Sequence, residues 1–587
     1  MTFKTIAART ALCSALALAT MMPVANAPAR AEPVVNGLSG AYLAGRQARY
    51  LGDFDAAARY YGQALARDPG NPQIMEALVL ADLSQGRIDR ALPVARDMEE
   101  AGLQSQLSQM VLVSDEGWNK NYDALLKRIE DKRAIGPLVD GLVAAWAKLG
   151  KGDMSDAIAQ FDEIAKEPGQ RGFALYHKAL ALAMVGDFES AEEILGATGP
   201  GSSVQTRRGV IARIEVLSQL GRNEAALEVL QNAFGATLDP ELETLRSRLQ
   251  AGETLPFDIV ASARDGMGEV LYTVAGALRG EARDADTILF ARMAEYLRPG
   301  HVDAILLSAE ILDDMEQYDL ATATYRRVPQ DDPAFHAAEL GRADALRKGG
   351  KPDAAIEVLE QLAKSYPDLP IVYSSLGDLM RTLDRYDEAV AAYDRAIALI
   401  PDPSGGQWFL YYARGISRER IGDWPGAEAD LREALKLNPE RPEVLNYLGY
   451  SLVEKREKLD EALSMIERAV SAQPSSGYIV DSLGWVLYRL GRYNEAVAHM
   501  ERAAELMPVD PVVNDHLGDV YWAVGRQREA EFQWKRALSF AEYGESTEEA
   551  DPERIRRKLE IGLDRVLAEE GGKPLKVAGE KASGDNN

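Results

Sequence analysis

Small residues recur along this chain at a spacing that leaves few folds open. The anchors are Ala57, Ala91, Ala157, Ala191, Ala226, Thr287, Ala321, Ala355, Ala389, Ala427, Ala462, Ala496 and Ala530, and most neighbours lie 34 or 35 residues apart. Two intervals are longer, 66 residues before Ala157 and 61 before Thr287, and each is long enough to hold one degenerate unit. A period of this length describes helix pairs stacked in a row, each burying its apolar face on its neighbours, so that no single core is needed.

The unit from Gly477 displays the pattern. Val480, Leu483, Gly484 and Leu487 follow the i, i+3, i+4, i+7 spacing of one apolar helical stripe. The run Leu490-Gly491-Arg492-Tyr493 interrupts it, and a second helix carries Ala496, Val497, Met500, Ala503 and Ala504 before Pro508 stops the run. Two helices crossing at close range have no room for large side chains at the contact. Small residues therefore recur there: Gly377, Gly415, Gly449, Gly484 and Gly518 late in the chain, and Ala145, Ala179, Ala275, Ala309 and Ala343 earlier. Leu at such a position is expected to cost about 1–3 kcal/mol through overpacking.

On these residues the units resemble tetratricopeptide repeats. Leu376-Gly377, Tyr386, Ala389, Tyr393, Ala396 and Pro401 match the pattern in one unit, Leu483-Gly484, Tyr493, Ala496, Ala503 and Pro508 in another, and Leu517-Gly518, Tyr521, Gly525, Ala530 and Ala537 in a third. The resemblance implies an all-α fold, a right-handed α-solenoid of about 13–14 helix-turn-helix units. Composition agrees: 46% of residues are hydrophobic but only 7% aromatic, as Ala- and Leu-rich helices require, and no stretch alternates as a strand does. The expected organisation is an N-terminal array of degenerate units at 38–234, an irregular break at 235–267 with an extended stretch around Pro256-Phe257, and a C-terminal array at 268–541. A capping helix at 552–570, carrying Ile555, Leu559, Leu563, Val566 and Leu567 on one face, and a disordered tail at 571–587 follow.

The first 31 residues read as a signal peptide. Lys4 and Arg9 precede an apolar run from Thr10 to Met22, and Ala29-Arg30-Ala31 offers a small-x-small cleavage site. Cys13 is the single cysteine; Leu12 precedes it where a lipid-anchor motif needs a small residue, so no lipid anchor is expected. Export to a bacterial periplasm is the expected localisation. Net charge is -26, and removing the signal's Lys4, Arg9 and Arg30 leaves -29, which disfavours nucleic acid and anionic membranes as partners.

Searching for chemistry yields neither a catalytic motif nor a metal-ligand spacing, so no enzyme activity, metal or cofactor is expected. His177, His301, His336, His499 and His516 lie far apart, and His516, between Asp515 and Asp519, reads as part of a surface helix. A second stripe stands out on the late first helices: Phe409, Tyr412, Arg420, Asn446, Tyr450, Tyr478, Asp481, Trp485, Tyr488, Arg489, Asp515, Asp519 and Trp522. In tetratricopeptide arrays the corresponding positions line the groove that holds peptides or partner helices. Rings beside hydrogen-bonding groups suit that use. Replacing Trp485 and Tyr488 by Ala is expected to weaken partner binding with helicity nearly intact.

The C-terminal units, with Asn446-Tyr447-Leu448-Gly449-Tyr450, Asp481-Ser482-Leu483-Gly484-Trp485 and Asn514-Asp515-His516-Leu517-Gly518-Asp519, are similar to bacterial envelope repeat proteins that bind a carboxyl-terminal processing protease. That likeness implies an exported scaffold presenting substrates, such as peptidoglycan hydrolases, to a periplasmic protease or cell-wall enzyme. The alternative is a structural scaffold of an envelope secretion or assembly complex.

Overall fold

The computed structural model describes residues 37–571 except 134, 198–205, 236–237, 402 and 544–549, and the side chains of 542–543. The signal peptide, Cys13 and the tail from 572 lie outside the described residues. Within them the chain is all-α, with 31 helices and no strand. None is long and apolar enough to cross a membrane.

Every anchor from Ala57 to Ala530 is fully buried, Thr287 included. The reason is visible at the helix crossings. A Cβ on Gly377 would lie 2.7 Å from the Tyr393 ring, and one on Gly449 would lie 2.7 Å from Ile466 Cγ1 and 2.9 Å from the Ala462 carbonyl oxygen. At Gly484 and Gly518 it would run into Met500 and Trp534. Each clash partner sits on the second helix of the same unit. The turn inside a unit is closed in the same way: after Gly477–Arg489, the Arg492 N–H donates to the Leu487 carbonyl at 2.8 Å while Gly491 takes φ +77°. Where glycine is absent, Lys120, Glu316, Asp384 and Arg456 adopt the left-handed conformation.

The helices divide into two compact units, 1–350 and 351–587. The first opens with the pairs Leu38–Tyr50/Phe54–Leu65, Pro72–Ser84/Ile88–Glu100, Gln106–Trp118/Tyr122–Glu130, Pro137–Lys151/Met154–Ile164, Arg171–Met184/Phe188–Leu195 and Arg207–Gln219/Asn223–Phe234. Then come a lone helix, Pro240–Gln250, two more pairs, Ala263–Leu278/Asp284–Leu297 and Val302–Asp314/Tyr318–Tyr325, and the helix Phe335–Lys348. The two long intervals resolve differently. The first holds a whole pair, Gln106–Trp118 and Tyr122–Glu130. The second holds a single helix, whose Asp239 cap accepts from the Leu242 N–H at 3.0 Å.

Residues 251–262 then run without helix, and their backbone is satisfied by side chains of Arg207–Gln219. Leu255 N–H donates to Ser218 Oγ at 2.8 Å, Gln219 bonds the Leu255 carbonyl, and Asp258 N–H donates to Glu215 at 3.2 Å. Leu255, Ile259 and Val260 are buried.

The second unit contains Pro352–Ser365, the pairs Pro370–Thr382/Tyr386–Ala398, Trp408–Arg420/Trp424–Leu437, Pro442–Glu454/Leu459–Ala472, Gly477–Arg489/Tyr493–Leu506 and Pro511–Ala523/Gln527–Tyr543, and two terminal helices. One capping helix was expected over 552–570; the chain forms Pro552–Ile561 and Leu563–Glu569 instead. Gly562 breaks it at φ +81°, and a Cβ there would come within 2.7 Å of the Trp522 indole. The break lets Ile555, Leu563 and Val566 all be buried.

Candidate functional site

The five first helices of the second unit share a register set by Gly377, Gly415, Gly449, Gly484 and Gly518. Six residues before each glycine stand Ile371, Phe409, Glu443, Tyr478 and Val512. Three before it stand Ser374, Tyr412, Asn446, Asp481 and Asp515, and one after it Asp378, Ile416, Tyr450, Trp485 and Asp519. The expected groove residues thus occupy repeating positions of one helical face.

Towards the C-terminal end this face is packed. Trp485 stacks on His516 with ring centroids 3.9 Å apart and on Tyr488 at 4.9 Å, and Tyr488 is itself buried. Asp481 is buried and meets His516 Nδ1 at 3.0 Å. His516 is therefore a core residue and not part of a solvated surface. Burial alone would lower its pKa; the Asp481 carboxylate, with Asp515 and Asp519 beyond, more than reverses that and holds it above the ordinary value.

Asp515 and Asp519 are engaged by the first terminal helix. Lys558, wholly buried, places its Nζ 2.8 Å from Asp515 Oδ2 and 2.7 Å from Asp519 Oδ1, and Trp534 Nε1 donates to the same Asp519 oxygen at 2.9 Å. Burial raises the Asp515 pKa; Lys558 opposes the rise, and the Asp519 charge adds to it. Trp522 Nε1 donates to Asp564 of the second terminal helix at 2.8 Å. Four of the expected groove residues, Asp481, Tyr488, Asp515 and Asp519, are thus buried in the packing of the last two repeats and their cap.

Farther from the cap the face opens. Phe409 is 38% exposed and Tyr478 48%, and Ile371, at the same register two repeats before Glu443, is 46% exposed. Tyr412 is half-buried, edge-on to Tyr447 at 5.9 Å, and Tyr450 is half-buried. Asn446 is buried with Oδ1 lacking a hydrogen-bond partner. Arg489 pairs with Glu454 at 2.7 Å, and Arg420 is exposed. Sequence reasoning missed Ile371, although its position six residues before a crossing glycine was available to find it. Lys558 was missed too, because it lies 39 residues beyond Asp519 on a helix outside the repeat. Among the described residues no cluster of His, Cys, Asp and Glu is arranged to hold a metal.

Paired helices, a small residue at most of their crossings, with Val79 and Ile214 at two others, and one face repeated from unit to unit give the fold of a tetratricopeptide-repeat solenoid. The tetratricopeptide-repeat family model matches residues 42–103, 306–370, 340–404 and 412–476, and a second model of the same repeat matches 480–508. A TPR repeat-containing protein of Pseudomonas aeruginosa is 31% identical over 181 residues, which are 30% of this chain and 30% of that protein. A lipoprotein NlpI homolog of Haemophilus influenzae is 35% identical over 86 residues, 14% of this chain and 27% of its own length. The chain spans less than a third of the length of these curated relatives. The solved APC/C hetero-tetramer Cut9–Hcn1 aligns over 90% of this chain and 96% of that one at 14% identity, with a TM-score of 0.37.

Proposed function

We propose that the chain is an exported protein-interaction scaffold whose second unit receives a partner segment along the open part of its first-helix face. The observation that carries this reading is the ladder of Ile371, Phe409 and Tyr478. These are three of the eleven large apolar residues left exposed among the described residues, and they share one register. Exposed apolar side chains scattered singly mean little, but a repeated row on one face suits docking. Tetratricopeptide-repeat proteins are in general non-enzymatic scaffolds, which agrees with the absence of a catalytic motif. The partner we favour is a periplasmic carboxyl-terminal processing protease, with peptidoglycan hydrolases as the substrates presented to it. The similarity of the late units to envelope adaptors supports this.

Cross-linking and affinity purification from the periplasm, followed by mass spectrometry, test the proposal. A tail-specific protease recovered with wild type and lost with Phe409→Ser/Tyr478→Ser supports it. Recovery of secretion or assembly components in the same way would favour a structural scaffold of an envelope complex. Equal recovery of any partner with wild type and variant would remove the face from consideration.

A further inference from the structure

The first helix of the chain, Leu38–Tyr50, has no repeat before it among the described residues, and its outward face sets Leu43 and Tyr50 among the exposed polar residues Ser39, Arg46 and Gln47. Leu43 is 58% exposed, Tyr50 84% and Leu51, just after the helix, 66%. With Leu38 they make four of the eleven exposed large apolar residues, gathered in fourteen consecutive positions. At 100° per residue Leu43 and Tyr50 lie within about 20° of each other, opposite the buried Ala41, Gly45 and Ala48. Arg46 lies on the same face and Arg49 beside it; both are exposed, and neither makes an ion pair with another of the described residues. No acidic residue occurs from 33 to 52. The nearest acids are engaged: Asp53 caps the next helix through the Ala56 N–H at 2.9 Å, and Asp55 pairs with Arg87 at 2.8 Å.

We infer that this face docks on an anionic lipid surface. Two arginines along one side of a Leu and a Tyr suit the headgroup boundary, where the ring and stems bury and the guanidinium groups meet phosphate. A second copy of the chain fits poorly, because antiparallel packing of two such helices would bring the unpaired Arg46 groups together at the centre. The large negative charge of the whole chain does not forbid the contact. At physiological ionic strength repulsion is screened beyond about 8 Å, and the first twenty residues after Glu32 are locally cationic. The overall charge disfavours membranes as a bulk property; the local charge of this helix reverses that at one end.

The test uses the chain beginning at Glu32, so that the apolar run Thr10–Met22 contributes nothing. It compares sedimentation with phosphatidylglycerol vesicles and with phosphatidylcholine vesicles. Binding to the anionic vesicles, weakened by salt, is expected. Arg46→Glu/Arg49→Glu should lower it on the order of tenfold or more, as should Leu43→Ser/Tyr50→Ser, with circular dichroism unchanged. Val509→Ser/Phe532→Ser, at exposed apolar sites of the other unit, should leave it intact. Absence of binding to either vesicle, or binding indifferent to the helix substitutions, overturns the inference. So does a concentration-dependent dimer that Leu43→Ser/Tyr50→Ser dissolves, since a second copy would then own the face. Because the readout is lipid binding, the outcome is independent of whether the second unit holds a protein partner.

Discussion

The two units use the same repeat and treat its inward face in opposite ways. In the second unit the face stays open at Ile371, Phe409 and Tyr478, six residues before the crossing glycines, while Ser374 and Asn446, three before them, are buried and the end next to the cap is packed throughout. In the first, the chain fills the face with its own helices. Ala263–Leu278 packs on the first helices Gln106–Trp118, Pro137–Lys151 and Arg171–Met184, and Asp284–Leu297 packs on Pro72–Ser84 and Gln106–Trp118. Trp146 stands one residue after its crossing alanine, as Trp485 stands after its glycine, yet Trp146 is wholly buried against Gly266, where a Cβ would collide with the indole. Tyr176 holds the register of Tyr412 and Asp481, and its hydroxyl donates to Glu269 at 2.8 Å.

A buried polar centre replaces a groove there. Glu269 accepts from Arg208 Nε at 2.8 Å, from Tyr176 and from His301 Nε2 at 3.2 Å. Burial alone would raise its pKa, but Arg208 above all, then His301 and Tyr176, hold the carboxyl well below the usual range. His177 sits beside this centre, accepting from Trp146 Nε1 at 3.3 Å through Nδ1, so its Nε2–H faces Thr273 Oγ1 at 3.2 Å. Both partners suit a neutral ring, and burial lowers its pKa to about 4. The lesson is that repeat register specifies where a side chain points, while the presence or absence of a covering segment decides whether that position can bind anything.

The contrast can be broken most forcefully at Glu269. Glu269→Ala leaves the half-buried Arg208 without its main counter-ion, with only Asp303 remaining, and should cost about 3 kcal/mol. Hydrogen exchange should show the loss at 171–183, 207–219 and 263–297, with 370–523 unchanged. Lys558→Ala uncouples the cap by leaving Asp515 and Asp519 facing each other in a buried site. It should cost roughly 3 kcal/mol and expose 552–569 to exchange. Uniform loss across the chain in either variant would deny that the two centres act locally.

The two buried histidines sharpen the comparison through pH. His177 has a folded pKa below its unfolded value, so its contribution is full above about pH 6.5 and is lost as pH falls from there towards 4, an effect of about 2–4 kcal/mol. His516 has a folded pKa above its unfolded value, so its contribution is full below about pH 6.5 and is lost as pH rises through the folded pKa. Denaturant melts of wild type against His177→Gln and against His516→Gln, across pH 4–9, should show stability differences that vary with pH in opposite directions. The smallest effect is expected on the open face: Phe409→Ser/Tyr478→Ser should change stability within about 0.5 kcal/mol per site while removing partner capture. The double substitution Trp485→Ala/Tyr488→Ala is the informative control. Because Tyr488 is buried and Trp485 stacks on His516, it should destabilise the last repeats, contrary to the intact helicity expected from sequence.

Helix pairs, crossing residues and turns were legible in the sequence because each depends on contacts within about 35 residues, and the same constraint recurs in most units. The anchors from Ala57 to Ala530 and the glycines that face Tyr393, Ile466 and Met500 could be read without a structure. The extended stretch after Gln250 was legible too, through Pro256-Phe257. The split of the cap at Gly562 was not, since the helical apolar pattern continues across it and only the approach of Trp522 requires the break. The candidate face was legible as a register and illegible as a surface: Tyr478 and Asp481 look equally available in the sequence, yet one is exposed and the other is bonded to His516.

By itself, then, the sequence determined that this chain is a row of short helix pairs with small residues at their crossings, because local periodicity and steric fit suffice for that. Tertiary structure alone decided which inward positions are open. Coverage comes from segments far along the chain, Glu269 on Tyr176 across 93 residues and Lys558 on Asp515 across 43, and burial of a charge depends on a partner that no local pattern announces.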